Sequence, residues 1–231
     1  MMYSKSIQDE EFGIVKLRRL ANASSIKISM SQQGNLQATL PKLTPSRYVK
    51  KIIDSSRPEL RKIIEKSGVK TYGSGMRIGK SHYIIIKPAS TLRSIKKSPT
   101  IIIYKPKNLE IDSQEVQQEI RKKIISALQS EAKKYLPERL KILAMQNDFN
   151  YKRVRFSHAK TRWGSCSSSG TISLNIALMN LPFELIDYVL IHELCHTKEM
   201  NHSRHFWKLV SISDPDFISH RREIKKYSPT I

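Results

Sequence analysis

His192, Glu193 and His196 stand in the run His192-Glu193-Leu194-Cys195-His196, and a further histidine follows at His202. Two imidazoles four residues apart project from one face of a helix, one turn apart, so both can offer a ring nitrogen to a single ion at roughly 2.0–2.1 Å. Glu193 is rotated by one residue and borders the ion without ligating it. Zinc lowers the pKa of the water it holds toward ~7, and an adjacent carboxylate can take that proton and deliver it to a leaving group. The residue types and spacing therefore point to a catalytic zinc with Glu193 as general base. Three fixed positions also arise by chance, so the setting matters. Pro182 precedes the motif, Ile186, Val189, Leu190 and Leu194 give it an apolar helical face, and four of the seven histidines fall within positions 192–205.

The third ligand expected is His202, six positions after His196, the offset used when a helix ends, turns and drops an imidazole onto the metal. Metzincins use this offset with a glycine at the turn; here Glu199 stands there, and no methionine follows His202, so a metzincin is not indicated. Asn201 tolerates left-handed backbone and is expected to make the turn. His205 is the rival ligand. In the first turn of a helix starting at Ser203 it would alternatively donate to substrate or face solvent. Arg162, His205 and Tyr188 are the candidate donors to a developing oxyanion.

These residues need elements to hold them. Apolar alternation predicts strands at Ile14–Leu17, Ile26–Met30 and Leu36–Leu40, with a loop at Gly34. Thr44-Pro45 reads as a helix cap followed by proline at the first helical position, with Tyr48, Val49, Ile52 and Ile53 on one face. Gly73, Gly75 and Gly79 come near a phosphate-binding fingerprint, but no strand leads in and no helix leads out, so a hairpin at Gly79-Lys80-Ser81 is expected instead. Strands are expected at Tyr83–Ile86 and Ile101–Tyr104. Asp112 to Glu115 resembles a capping box opening a long helix with Val116, Ile120, Ile124, Leu128 and Ala132 on its inner face. Pro137 is expected to restart a helix that runs to about Met145. Strands at Val154–Phe156 and Thr171–Leu174 flank a Ser/Gly turn, the metal helix runs from Pro182 to about Glu199, and a last helix runs from Ser203 through Val210.

The composition is that of a 231-residue α+β chain with 39% hydrophobic residues. No apolar run reaches the roughly 18 residues of a membrane span, and the polar N-terminus lacks a secretory pattern, so no membrane association and a cytoplasmic location are expected. Cys166 and Cys195 form no C-x-x-C pair, which excludes a cysteine zinc ribbon, and both are expected as free thiols. The net charge of +21 is uneven. Residues 151–231 hold 12 Lys/Arg against 7 Asp/Glu, so the first 150 carry +16. That field suits nucleic acid, nucleotides or acidic surfaces as partners, although no nucleic-acid module accompanies it.

Several blocks in order, Arg162-Trp163-Gly164-Ser165-Cys166, Leu174-Asn175, Pro182, Tyr188-Val189, the His192–His196 run, Asn201-His202-Ser203 and Phe206-Trp207, resemble the YgjP-like metallopeptidase family, related to SprT-like and other zincin-type proteins. The likeness is specific over about residues 151 to 210 and weaker across the N-terminal half. It implies a minimal zincin-like C-terminal core over residues 109–231, with a connecting helix and a basic β-rich region with a helical insert over 1–108. It also implies Zn2+ on His192, His196 and His202, with Glu193 as acid/base. The Arg162–Cys166 block has two readings. It precedes an edge strand that takes an extended substrate by strand addition, with Arg162 toward substrate, or Trp163 and Cys166 simply pack against the metal helix. The function expected is a zinc-dependent hydrolase, foremost a metallopeptidase acting on peptide or protein. The alternatives are a zinc-dependent nucleotide pyrophosphatase and a nucleic-acid-associated SprT-like protease.

Overall fold

A computed structural model describes residues 6–30, 36–66 and 71–231, giving an α+β chain. The loop with Gly34 lies outside the described residues. Two compact units emerge: Met1–Gly73 with Ile86–Ser94 and Ile103–Arg121, and Ser74–Ile85 with Ile95–Ile102 and Lys122–Ile231.

In the first unit, β1 (Ser6–Asp9), β2 (Gly13–Leu20), β3 (Lys27–Met30) and β4 (Leu36–Pro41) form a sheet of order β1-β2-β4-β3. β2 and β4 run parallel with Leu17 opposite Ala38; β3 and β4 run antiparallel with Ile28 opposite Ala38. Alternation buries Leu36, Ala38 and Leu40 together with Val49, Ile53 and Leu60 of α1 (Ser46–Ser55) and α2 (Arg57–Lys66). The helix start differs from the expectation by one residue. Pro45 occupies the cap position and no side chain caps the helix, while the Thr44 carbonyl accepts from Arg19. Tyr48 points outward, 47% exposed. β1 was not expected; Asp9 at its end is buried and paired with Arg57 at 3.1 Å.

β5 (Arg77–Ile78), β6 (His82–Pro88), β7 (Arg93–Lys97) and β8 (Thr100–Lys105) form a sheet of order β5-β6-β8-β7. Ile78 pairs with His82, so the chain does reverse through Gly79-Lys80-Ser81. Gly79 has φ +60°, the left-handed region where glycine carries no Cβ penalty.

α3 (Gln114–Gln146) follows, and Val116, Ile120, Ile124, Leu128 and Ala132 are all buried as one stripe. Two details depart from the sequence reading. The helix starts one residue later than a cap at Asp112 would set it, and the Ser113 hydroxyl at its N-terminus is buried without a partner. Nor does Pro137 restart a helix: it lies inside one continuous helix. Proline deletes a single backbone hydrogen bond, and burial of Leu136 and Leu140 on either side offsets that loss, at about 1.5–3 kcal/mol for each such side chain.

The elements that carry the chemistry all fall in the second unit. β9 (Arg153–Ser157), β10 (Gly164–Cys166) and β11 (Thr171–Asn175) form a sheet of order β10-β11-β9, which leaves one edge of β10 unpaired within that sheet. α4 (Phe183–Cys195) begins after Pro182, and α5 (Arg204–Ser213) is capped by the Ser203 hydroxyl, which accepts from Phe206 N–H at 3.3 Å. A short helix unforeseen in the sequence, α6 (Phe217–Glu223), follows α5. Among the described residues no helix is long and apolar enough to cross a membrane. Cys166 and Cys195 are free thiols.

Candidate metal centre

α4 is almost wholly buried, with Leu185, Ile186, Leu190 and Leu194 in the core, and its C-terminal turn carries the polar residues. The helix ends earlier than the sequence suggests. Its last residue is Cys195, His196 caps it, and the chain leaves through a turn in which Glu199 N–H donates to Cys195 C=O at 2.9 Å. Asn201 does not adopt left-handed backbone; Asp148 is the one described non-glycine residue that does. Asn201 turns the chain with its side chain instead, accepting from Ser203 N–H at 2.9 Å.

This path brings ring nitrogens of His192, His196 and His202 within 4.8 Å of one another. Nε2 of His192 and Nε2 of His202 are 3.1 Å apart, close to the roughly 3.4 Å between two nitrogens on a tetrahedral zinc. Phe206, fully buried on α5, contacts all three rings: its centroid lies 4.9 Å from His192, 4.5 Å from His196 and 4.8 Å from His202. Trp207 stacks on His202 at 5.7 Å and carries the Arg221 guanidinium 4.3 Å over its own ring. The His196 Nδ1–H donates to the Glu199 carbonyl at 3.0 Å, which leaves Nε2 as the free lone pair.

The donor set fits a zinc ion. Burial pushes His192 down to about 3, and the charges of His196, His202 and Arg221 push it the same way. Burial lowers His196 as well. Both rings are therefore neutral near pH 7 and offer lone pairs rather than protons. Nδ1 of His192 is buried without a partner, an orphan consistent with a ring oriented through its other nitrogen. Three imidazoles with no fourth protein ligand among the described residues is the pattern of a catalytic rather than a structural site.

Glu193 borders this cluster at 5% exposure, and its Oε2 has no hydrogen-bond partner. Burial pushes its carboxyl up to about 8, with the positive charge of Arg162 pulling weakly the other way. β10 passes directly against it. A Cβ on Gly164 would lie 2.6 Å from Oε1 and 2.7 Å from Cγ, so only glycine lets the strand come this close. Arg162 is exposed, and its carbonyl accepts from Asn175 Nδ2 at 3.0 Å. Asn175, fully buried, also donates to Ala159 C=O at 2.7 Å and accepts from Ala177 N–H, so its work is to pin the segment leading into β10. His205 is exposed in the first turn of α5 and outside the histidine cluster. Tyr188 is buried one turn before His192, ring centroids 6.1 Å apart.

Gly164, Phe206 and Arg221 escaped the sequence reading as parts of the site. Gly164 carries a usable signal, a glycine in the middle of a block otherwise rich in large or reactive side chains. Arg221 carries none, being one of several basic residues near the C-terminus. The glycine segment before β6 holds no free phosphate cradle at its turn: the Lys80 and Ser81 N–H groups donate to Glu131 at 2.7 and 3.0 Å, as does the Ser81 hydroxyl at 2.7 Å. His82 is buried and bonded to the same carboxylate at 2.6 Å.

A family model described as YgjP-like, metallopeptidase domain, matches residues 24–227. No curated protein matches the chain. Among solved structures, it is similar to the crystal structure of the metallopeptidase zymogen of Pyrococcus abyssi abylysin, at 30% identity over 39% of this chain and 92% of that one, with a TM-score of 0.36.

Proposed function

The chain belongs to the YgjP-like metallopeptidase family, and from that premise we propose that it is a zinc-dependent peptidase whose metal is held by His192, His196 and His202. When bound there, zinc supplies a Lewis acid that polarises a carbonyl and acidifies water, and its charge favours the ionised form of a neighbouring carboxylate. Glu193 takes a proton from the attacking water at Oε2, the oxygen left without a partner, and returns it to the leaving amine. The unpaired edge of β10 receives an extended peptide by strand addition, which lays the scissile bond across the Glu193 carboxylate beside Gly164. Arg162, held at the mouth of that strand, and Tyr188 are the donors available to substrate. We assign the chemistry to residues 109–231, a zincin-like core, and give residues 1–108 no catalytic part.

The observation that carries this reading is the convergence of three imidazoles with a buried carboxylate oxygen that no protein group satisfies. Such an oxygen costs stability, on the order of 1–3 kcal/mol, and a purely structural role would not leave it so. The test uses zinc-loaded wild type and Glu193→Gln on denatured proteins and, in parallel, on nucleoside triphosphates. The variant should keep its zinc and lose polypeptide cleavage. Full activity in the variant, or hydrolysis of nucleotides alone, would overturn the peptidase mechanism.

A further inference from the structure

His196 has a second neighbour besides the cluster. It lines a cavity of about 350 Å³ together with Tyr151, Lys152, Ser167, Ser169 and, in the turn after α4, Met200. At roughly 30 Å³ per water, this is room for about a dozen waters and so for any side chain.

The cavity is a shaped one. Ser167 N–H donates to Thr171 C=O at 3.0 Å, Gly170 N–H to Ser167 C=O at 2.9 Å, and Lys152 N–H to Gly170 C=O at 2.8 Å. The Ser167 and Ser169 hydroxyls bond each other at 2.9 Å. These bonds fix the serine turn against the segment that carries Lys152. No carboxylate lines the cavity, and Lys152 is its one ammonium. The Lys152 side chain is exposed and makes no ion pair among the described residues.

Its position relates it to the reaction. β10 starts at Gly164, against the Glu193 carboxylate, and ends at Cys166, after which the chain enters the serine turn at Ser167. At about 3.3 Å per residue, a peptide laid along the free edge of β10 reaches the cavity within roughly 10 Å of the point abreast of Glu193, or about three residues. Arg162 adds a positive charge close enough to act on the Glu193 carboxyl, Glu138 a negative one that acts on Tyr151, and the whole chain carries +21. A cationic, hydroxyl-lined pocket fits a carboxylate side chain, and a like-charged one would be repelled.

We propose that this cavity is a substrate subsite selecting Asp or Glu within about three residues of the scissile bond, with Lys152 as the counter-charge; this rests on the peptidase reading above. The experiment is cleavage-site mapping by mass spectrometry on a denatured protein mixture, using zinc-loaded full-length wild type, Lys152→Ala and Lys152→Glu. Wild type should enrich Asp and Glu at one fixed position near the cut. Lys152→Ala should flatten that enrichment. Lys152→Glu should exchange it for Lys and Arg, with roughly a tenfold swing in kcat/KM between matched acidic and basic peptides. If wild type cleaves without an acidic preference, or Lys152→Glu leaves the preference intact, the subsite is wrong and the peptidase reading stands. If folded, zinc-loaded wild type cleaves no polypeptide, both fall together.

Discussion

Glu131, half-buried, and Glu193, buried, are carboxylates in the same compact unit, each on a helix, and the protein treats them in opposite ways. Burial by itself pushes Glu131 up, but the Lys80 N–H, His82, and the hydroxyl and N–H of Ser81 outweigh it, and its carboxyl sits below the ordinary range. Glu193 is the more deeply buried of the two and has no such donors, so its carboxyl rises to about 8. Burial decides the cost of the charge; the donors around it decide whether the cost is met. A carboxylate that is fully met is a structural strut. One left unmet holds its proton affinity in reserve, and beside the histidine triad that reserve is what the proposed general base would draw on.

The comparison can be broken most easily at turnover. Glu193→Gln should lower kcat for peptide hydrolysis by about 10²–10⁴-fold, whereas Glu131→Gln should leave kcat per folded molecule unchanged. Equal losses in a steady-state assay corrected for folded fraction would erase the distinction. Next in size is Gly164→Ala. The added Cβ would force the Glu193 carboxylate from its place, and a displacement of about 1 Å is worth on the order of 10²-fold in rate. Zinc content measured by atomic absorption should not change, and a loss of zinc would mean that β10 supports the histidines rather than the base.

Stability should show the reverse ranking. Glu131→Gln takes the charge from the donors of Lys80, Ser81 and buried His82 and should cost about 1–3 kcal/mol in urea unfolding. Metal-free Glu193→Gln should be neutral or stabilising at pH 7, because the amide lacks the ionisation that burial disfavours in the folded state. The two also differ in the pH dependence of their contributions. Glu131 has a lowered carboxyl, so its contribution is present above the ordinary value of about 4.3 and fades as pH falls through its own lower one. Glu193 has a raised carboxyl, so metal-free wild type should lose stability relative to Glu193→Gln as pH rises from the ordinary value to about 8. Differential scanning calorimetry at pH 3.5, 5 and 8 separates the two slopes by sign.

The two carboxylates also mark what the sequence could and could not disclose. Glu193 is legible because its partners are local: His192 and His196 lie within one helical turn, and His202 follows after a single turn of chain. The long apolar stripe of α3 is legible for the same reason, since periodicity is a local property. Glu131 is not, because its partners lie 49 to 51 residues away and are brought to it by a hairpin pairing with no motif of its own. The continuity of α3 through Pro137 was hidden by tertiary burial overriding a helix breaker. The polar cavity beside His196 is assembled from three separate segments, and Arg221 reaches the site only because an unforeseen helix folds back on α4. The turn at Asn201 was right in place and wrong in device, a side-chain turn instead of left-handed backbone.

The most direct measurement is a carbon-13 NMR titration of the metal-free protein labelled at glutamate Cδ, with both signals assigned through the two glutamine variants. Glu193 should titrate near 8 and move downward when zinc is added, while Glu131 stays below the ordinary carboxylate value throughout. A Glu193 midpoint close to 4.3, unmoved by zinc, would contradict the account.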